Sequence, residues 1–447
     1  MGLQDLILFP LYVFIFHLFF ASRRKKLQDP QLRKYHAQGF WIKVFSTLAF
    51  TVFNVYISPG DSLGLFYAEG LNIGRMILRD FSNIQLLFIR GSEFDQSQLF
   101  NSLNEGYFNS QSNYFTTVLV AFFSLFSFSS YLVINLIFSM VSFSGVWKLY
   151  RFFYEQYPHL HKKLAIAILY LPTFVFWSSG ILKDPICTGM MGWVTYAIYA
   201  AFVKREAVLK HLFLVAIAAW ILGTVKSYIL VSYLPFLIMY LVFHNLRQVK
   251  SVGKRVLLTS MVFLGGLIGF VLAADKLQEE LSEYSVEKIT ESVKVQQKSF
   301  QQMADLAESS FSLGVEFDGT PGSMLRMAPA AITATLFRPF LWESKKLSTL
   351  LSSLESLAMM LFTLYVLFKA GLFTFFRSLV RDPMVQYCFL FAIVFALFVG
   401  ATTLNFGTLV RYKIPCMPFY IIAFMLVLEQ RKKAPVSTTE APESNHP

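Results

Sequence analysis

Charged residues are scarce in this chain, 15% of 447 residues, where an ordinary soluble domain carries about 25%. With 55% hydrophobic residues and a mean hydropathy of +0.53, that scarcity argues against a soluble fold. Cysteine is rarer still. Cys187, Cys388 and Cys416 all lie in or beside apolar segments without CxxC spacing, so they read as packing residues, with no disulfide or metal framework. Histidine occurs 7 times: His36, His159, His161, His211, His244 and His446 fall in or near segments assigned below to the cytoplasmic side, and His17 falls within the first apolar run. A zinc site or a Ser-His-Asp site is disfavoured on the other side. Walker, GxGxxG and haem-attachment patterns are absent, which argues against ATP-driven transport by this chain alone.

What the chain has is apolar length. Phe occurs 49 times, which suits helices facing lipid, because lipid tails need no polar cover. A helix needs about 20 apolar residues to cross a bilayer. Runs near that length recur at about 4–22, 40–58, 129–147, 164–181, 186–203, 211–225, 229–244, 256–274, 349–369, 385–403 and 413–430. The sequence therefore predicts an all-α fold, a polytopic transmembrane helix bundle of about eleven spans, ten to thirteen at the limits. The bundle occupies residues 1–433, and 434–447, rich in Pro, Ser, Thr and Glu, reads as a disordered cytoplasmic tail. The first run ends in Arg23-Arg24-Lys25-Lys26 with no basic stretch ahead of it. This inverts the charge order of a cleavable signal peptide, so the run is expected to stay as a span.

The net charge of +12 comes from short basic clusters between apolar runs, which orient a membrane protein and do not form a nucleic-acid face. If 113–147 crosses once, preceded by an interfacial helix near 113–127, then Arg23 to Lys43, Lys148 to Lys163, Lys204 to Lys210, Arg247 to Arg255, Lys369 to Arg381 and Arg431 to Lys433 share one side. That side is cytoplasmic by the positive-inside rule, with the N-terminus out and the C-terminus in. Two long loops, 59–112 and 275–346, are then extracytoplasmic. The second opens with Leu277, Leu281, Tyr284, Ile289, Val293 and Phe300 at roughly helical spacing, and Gly319-Thr320-Pro321-Gly322 turns it back toward the membrane.

Ionisable residues at the edge of a span are costly and mark functional paths. Four constellations fit on the extracytoplasmic side: Pro59-Gly60-Asp61-Ser62 with Tyr67 and Glu69; Trp177 to Pro185 with Lys183-Asp184; Arg326 with Arg338-Pro339-Phe340-Leu341-Trp342-Glu343; and Asn405 to Lys413 with Arg411. Turn capping and interfacial anchoring by Trp and Arg are the competing readings for each. If Asp61 and Asp184 meet Lys183, Arg338, Arg411 and Lys413, the set suits transfer of a group from a phosphate. A carboxylate would take the acceptor's proton while the cations stabilise the departing phosphate. Glu355 stands inside a span, as a bundle-facing helper or a residue whose helix begins later.

The order of Asp61 after an early span, a long loop, Ser112-Asn113-Tyr114 entering an apolar stretch, and Leu171-Pro172 to Phe176-Trp177 closing on Lys183-Asp184 resembles the GT-C superfamily of membrane glycosyltransferases. The resemblance covers about residues 40–200. It implies a polyprenyl-phosphate-linked sugar donor, Asp61 as catalytic base, and Asp184 or Asp95 as a second acidic contact. An extra N-terminal span and the lack of a paired acid at the Asp61 turn depart from that pattern and leave a divalent cation open. The C-terminal part, with Arg338-Pro339-Phe340 and Thr408 to Pro418, is similar to bacterial lipid-linked polysaccharide polymerases, in which outer-loop arginines are thought to hold the diphosphate. Both imply a bacterial cytoplasmic membrane, with membrane lipid and lipid-linked sugar as partners. A transporter or flippase, and a non-catalytic subunit binding envelope-assembly proteins, are the readings from other classes.

Overall fold

The computed structural model describes residues 2–58, 60–95, 107–246, 311–314, 321–344 and 347–433. The expected span at 256–274, the surface helix from Leu277 to Phe300 and the tail 434–447 lie outside the described residues. Among the described residues there are helices and no β-strand. Six of the described helices are long and apolar enough to cross a membrane: Asp5–Lys25 (α1), Pro30–Ile57, Tyr131–Gln156 (α5), Val208–Asn245, Thr349–Ala370 and Pro383–Thr402 (α13). A seventh arises if the bent pair Phe406–Tyr412 (α14) and Met417–Lys433 (α15) counts as one. The regular part of the second is Pro30–Val52 (α2), which ends in a π-turn, and the fourth belongs to α9 (Val208–Leu246).

The residues at helix ends give the bundle a direction. Tyr154 donates its hydroxyl to Asp29, the N-cap of α2. Tyr35 bonds His161 at 2.8 Å, Lys204 pairs with Glu155 at 3.2 Å, Tyr240 donates to Gln156, and Gln430 donates to Asp382. These contacts gather the basic segments at one end of the bundle. Asp382 there also caps α13, accepting from Met384 N at 2.8 Å with Pro383 at the first helical position. At the same end Leu372–Arg381 (α12) exposes Leu372, Phe373, Phe376 and Val380 on one face and carries Arg377 and Arg381, the pattern of a helix lying in a membrane interface.

Three of the apolar stretches are interrupted in the structure. The run 164–181 is two short helices, His161–Leu169 (α6) and Pro172–Trp177 (α7), because Pro172 cannot donate to the preceding turn. Glu355, from Leu347–Ala370 (α11), caps the break: its carboxylate accepts from the Thr173 backbone N–H at 2.9 Å and from the Thr173 hydroxyl. The runs 211–225 and 229–244 form the single element α9, broken at Lys226, whose φ of −149° is non-helical. The start of α9 follows Lys204 and Tyr240 lies near its end, both at the basic end, whereas Lys226 sits at the opposite end against Asp184. α9 is thus a folded-back pair of limbs, 208–225 and 227–246. The stretch 113–147 divides into Gln111–Ser124 (α4), 14 residues and too short to cross, and the 26-residue α5.

Part of the first long loop folds on α4. Leu86, Phe94 and Phe108, with Ile73 and Ile77 of Ala68–Arg79 (α3), pack on Tyr114, Val118 and Ala121 in a small separate core. The main core runs through α5, α9, α13, α15 and Lys183–Phe202 (α8). Tyr233, Tyr387 and Thr195 satisfy one another's hydroxyls within it, as buried phenols require. α5 and α8 approach closely through glycine: a Cβ on Gly145 would stand 1.7 Å from the Gly189 carbonyl oxygen, and one on Gly192 would stand 1.9 Å from that of Gly145. Small residues let helices in lipid gain packing contacts. Because the obstacle is backbone, Gly145→Ala is expected to cost more than about 2 kcal/mol. It should lower the thermal midpoint in detergent by several degrees, while Gly64→Ala, with open space around it, should leave the midpoint unchanged.

Candidate functional site

Four elements deliver charge to the end opposite the basic segments. Asp61 stands at the start of the π-turn Ser62–Tyr67. Lys183 and Asp184 open α8 directly after the turn 178–182. Lys226 occupies the fold-back of α9, and Arg411 lies in the last turn of α14. Irregular backbone at membrane depth is tolerated where it is buried in protein or lines a cavity. Here the α7–α8 turn, the α9 apex and the α14–α15 bend of 60° all meet.

Asp184 is the hub. Its Oδ1 accepts from Lys226 Nζ at 2.6 Å and its Oδ2 from Arg411 at 3.4 Å, with the carboxylate 1% exposed. Arg411 reaches Asp61 at 3.5 Å with its other terminal nitrogen, and its guanidinium lies 5.6 Å from the centre of the Trp177 ring. Asp61 is 58% exposed. Lys183 is within electrostatic range of Asp61, Asp184 and Lys226, and donates to Asn113 of α4. The Lys226 ammonium sits 4.4 Å from the centre of the Tyr412 ring. Two carboxylates and three cations leave one positive charge. Two buried polar atoms beside them, Arg411 Nε and the Tyr228 hydroxyl, have no hydrogen-bond partner among the described residues, which marks a place for an added acceptor.

The expected constellations thus converge in part. Asp61, Asp184, Lys183 and Arg411 form one cluster. Arg338 does not join it: its side chain binds both oxygens of Glu343, one contact at 3.1 Å, and lies 4.4 Å from the Phe311 ring and 5.2 Å from Phe406. Its guanidinium is already paired with a carboxylate, apart from the cluster that holds Lys183 and Arg411. Lys413 also turns away, donating to the Arg338 carbonyl at 3.1 Å and to Ser356 at 2.8 Å. It holds the chain at the α14–α15 bend. Arg326 is exposed on Pro321–Phe337 (α10), twelve residues or about 18 Å along the helix from Arg338. Glu69 is buried in the first turn of α3, accepting from Asn72 at 3.0 Å. Asp95 is exposed at the edge of the described loop.

Two cations escaped the expected site list. Lys226 stands between the expected runs 211–225 and 229–244, and nothing local in the sequence indicates its partner. Lys43, counted with the basic loop clusters, is instead buried within α2, where its ammonium contacts the Ser178 carbonyl at 2.5 Å and hydroxyls of Ser142, Ser178 and Ser179 at 2.6 to 3.3 Å. No carboxylate pairs with it among the described residues. Ser142 continues through Thr188, at 3.1 Å, to the Asp184 carbonyl at 2.9 Å. Lys43 therefore holds the turn that carries Lys183 and Asp184. A buried cation without a counter-charge is costly to desolvate. Lys43→Met is expected to leave the thermal midpoint unchanged or raised while loosening that turn, read as faster proteolysis or hydrogen exchange over 178–184.

Among the described residues no three His, Cys, Asp or Glu side chains gather as metal ligands. The two carboxylates of the cluster face Arg411 and Lys226, so this donor set does not fit a divalent ion held by side chains. Fold and site together define an all-α protein of membrane-length apolar helices with an ion cluster at one end. Comparison with family models, with curated proteins and with solved structures finds no match to this chain.

Proposed function

We propose that this chain is an integral membrane glycosyltransferase using a polyprenyl-(di)phosphate-linked sugar to build cell-surface polysaccharide or glycoconjugate. In this reading it lies in a bacterial cytoplasmic membrane with about eleven crossings, its basic end cytoplasmic and its N-terminus outside. The observation that carries the reading is the meeting of one exposed carboxylate, Asp61, with Arg411, Lys183 and Lys226 around the buried Asp184. Asp61 takes the proton of the acceptor hydroxyl as that oxygen bonds to the anomeric carbon. The carbon–oxygen bond to phosphate breaks, and its electron pair leaves with the phosphate. The residual positive charge and the unpartnered Arg411 Nε suit the charge that develops there. Asp184, with both oxygens occupied, is a positioning residue for Arg411 and Lys226 and not a base.

The test is purified protein in liposomes with radiolabelled polyprenyl-phosphate-linked sugars and a saccharide acceptor. Sugar transfer that is lost in Arg411→Gln supports the reading, and no transfer from any donor overturns it. A second reading, a transporter or flippase for a lipid-linked anion, is favoured by the broken helices and by Lys43, Lys226, Glu355 and Lys413 within apolar segments. The same liposomes separate the two readings: a flippase moves the labelled headgroup between leaflets with its glycosidic phosphate bond intact.

A further inference from the structure

Beside the ion cluster lies a second, chemically different site. Arg338 and Glu343 stand at the edge of an open depression of about 500 Å³ lined by Pro329, Ala330, Thr333 and Ala334 of α10, with Phe340 and Trp342 along its rim. The Phe340 and Trp342 rings stack at 4.9 Å and 21°, and Trp342 is 81% exposed. The Arg338–Glu343 pair is internally neutralised and fixed: Glu343 also accepts from the Phe340 backbone N–H at 2.8 Å. Such a site has little attraction for phosphate. It offers a flat aromatic face, an apolar floor, and charged hydrogen-bonding groups of both signs at one edge. A pyranose ring has the complementary chemistry, an apolar C–H face with a rim of hydroxyls that both donate and accept.

From this we infer that the depression binds a neutral saccharide, stacked on Trp342 and Phe340 and hydrogen-bonded by Arg338 and Glu343. The site shares α14 with the ion cluster. Phe406, in its first turn, packs on Arg338, and Arg411, in its last turn, bridges Asp61 and Asp184. Lys413, two residues beyond Arg411, binds the Arg338 carbonyl. A seven-residue helix therefore separates a phosphate-binding centre from a sugar-binding one. Resting on the glycosyl-transfer reading, the depression is where the growing acceptor glycan lies while Asp61 activates its end.

The test is binding of maltotetraose, chitotetraose and mannotetraose to the purified full chain in detergent, by saturation-transfer NMR and calorimetry. At least one is expected to bind, with affinity falling about tenfold or more in Trp342→Ala and in Glu343→Gln and staying within about threefold in Trp342→Phe, as stacking on a retained ring requires. Trp342 is exposed, so the alanine variant should fold. Binding by none of the three, or equal binding by wild type and Trp342→Ala, overturns the site, as does a loss in Trp342→Ala confined to farnesyl phosphate, which would make the depression a lipid groove. Saccharide binding that depends on Trp342 in a protein without transfer activity keeps this site and removes the transferase reading. Transfer with an acceptor KM unchanged in Trp342→Ala does the reverse.

Discussion

Asp61→Asn should lower sugar transfer by roughly 10² to 10⁴-fold, the range that a positioned general base contributes, with protein level and thermal midpoint unchanged. The two halves of this expectation have separate causes. Rate falls because an amide cannot take the acceptor proton. Stability holds because Asp61 is more than half exposed and reaches Arg411 only at 3.5 Å, a contact worth under about 1 kcal/mol at a wet surface. Asp61→Glu should retain a measurable fraction of the rate. Initial rates at saturating donor, alongside melting curves in the same detergent, check both. A normal rate in Asp61→Asn would remove Asp61 as the base, and a collapsed midpoint would make it a structural residue.

Asp184 should behave in the opposite way. Its carboxylate is the buried partner of both Lys226 and Arg411, so Asp184→Ala strands two cations, and breaking a buried pair from one side costs about 3–5 kcal/mol. Much of the protein should be lost to aggregation before activity can be read. Adding Lys226→Met removes one stranded charge and restores apolar packing. The double variant should then be more stable than Asp184→Ala alone, with a coupling of about 1–3 kcal/mol between the two positions. Melting midpoints of the wild type, both single variants and the double decide it. Additive effects would mean that the 2.6 Å pair carries no energetic weight.

The class of fold was legible because apolar length is written directly in sequence, and loop charge indicated the shared end for Asp61, Asp184, Lys183 and Arg411. Pairing was not legible. Nothing local told that Glu343, five residues after Arg338, would neutralise it, or that Lys413 would turn toward the Arg338 carbonyl while Arg411, two residues earlier, turned toward Asp184. Lys43 was hidden by its neighbours in sequence: it follows the basic stretch that begins at Arg23, and only the position of Ser142, Ser178 and Ser179 on other elements shows that α2 carries it inside. Pro172 did carry a local signal for the break in its span, but the cap that makes the break tolerable comes from Glu355, far along the chain. The fold-back at Lys226 was implied by two short apolar runs separated by a lysine. Hydrophobicity reports which segments are apolar. It does not report which polar groups face each other across them.

The central claim is that Arg411, with Lys183 and Lys226, receives the phosphate of a lipid-linked sugar next to Asp61. An electron cryomicroscopy map of the full chain with a non-hydrolysable polyprenyl-phosphonate sugar tests it most directly. The account predicts a phosphonate within hydrogen-bonding distance of Arg411 and Lys183, with the anomeric carbon on the side of Asp61. A phosphonate bound elsewhere on the bundle, with the Asp61–Arg411–Asp184–Lys226 contacts unchanged, would contradict it.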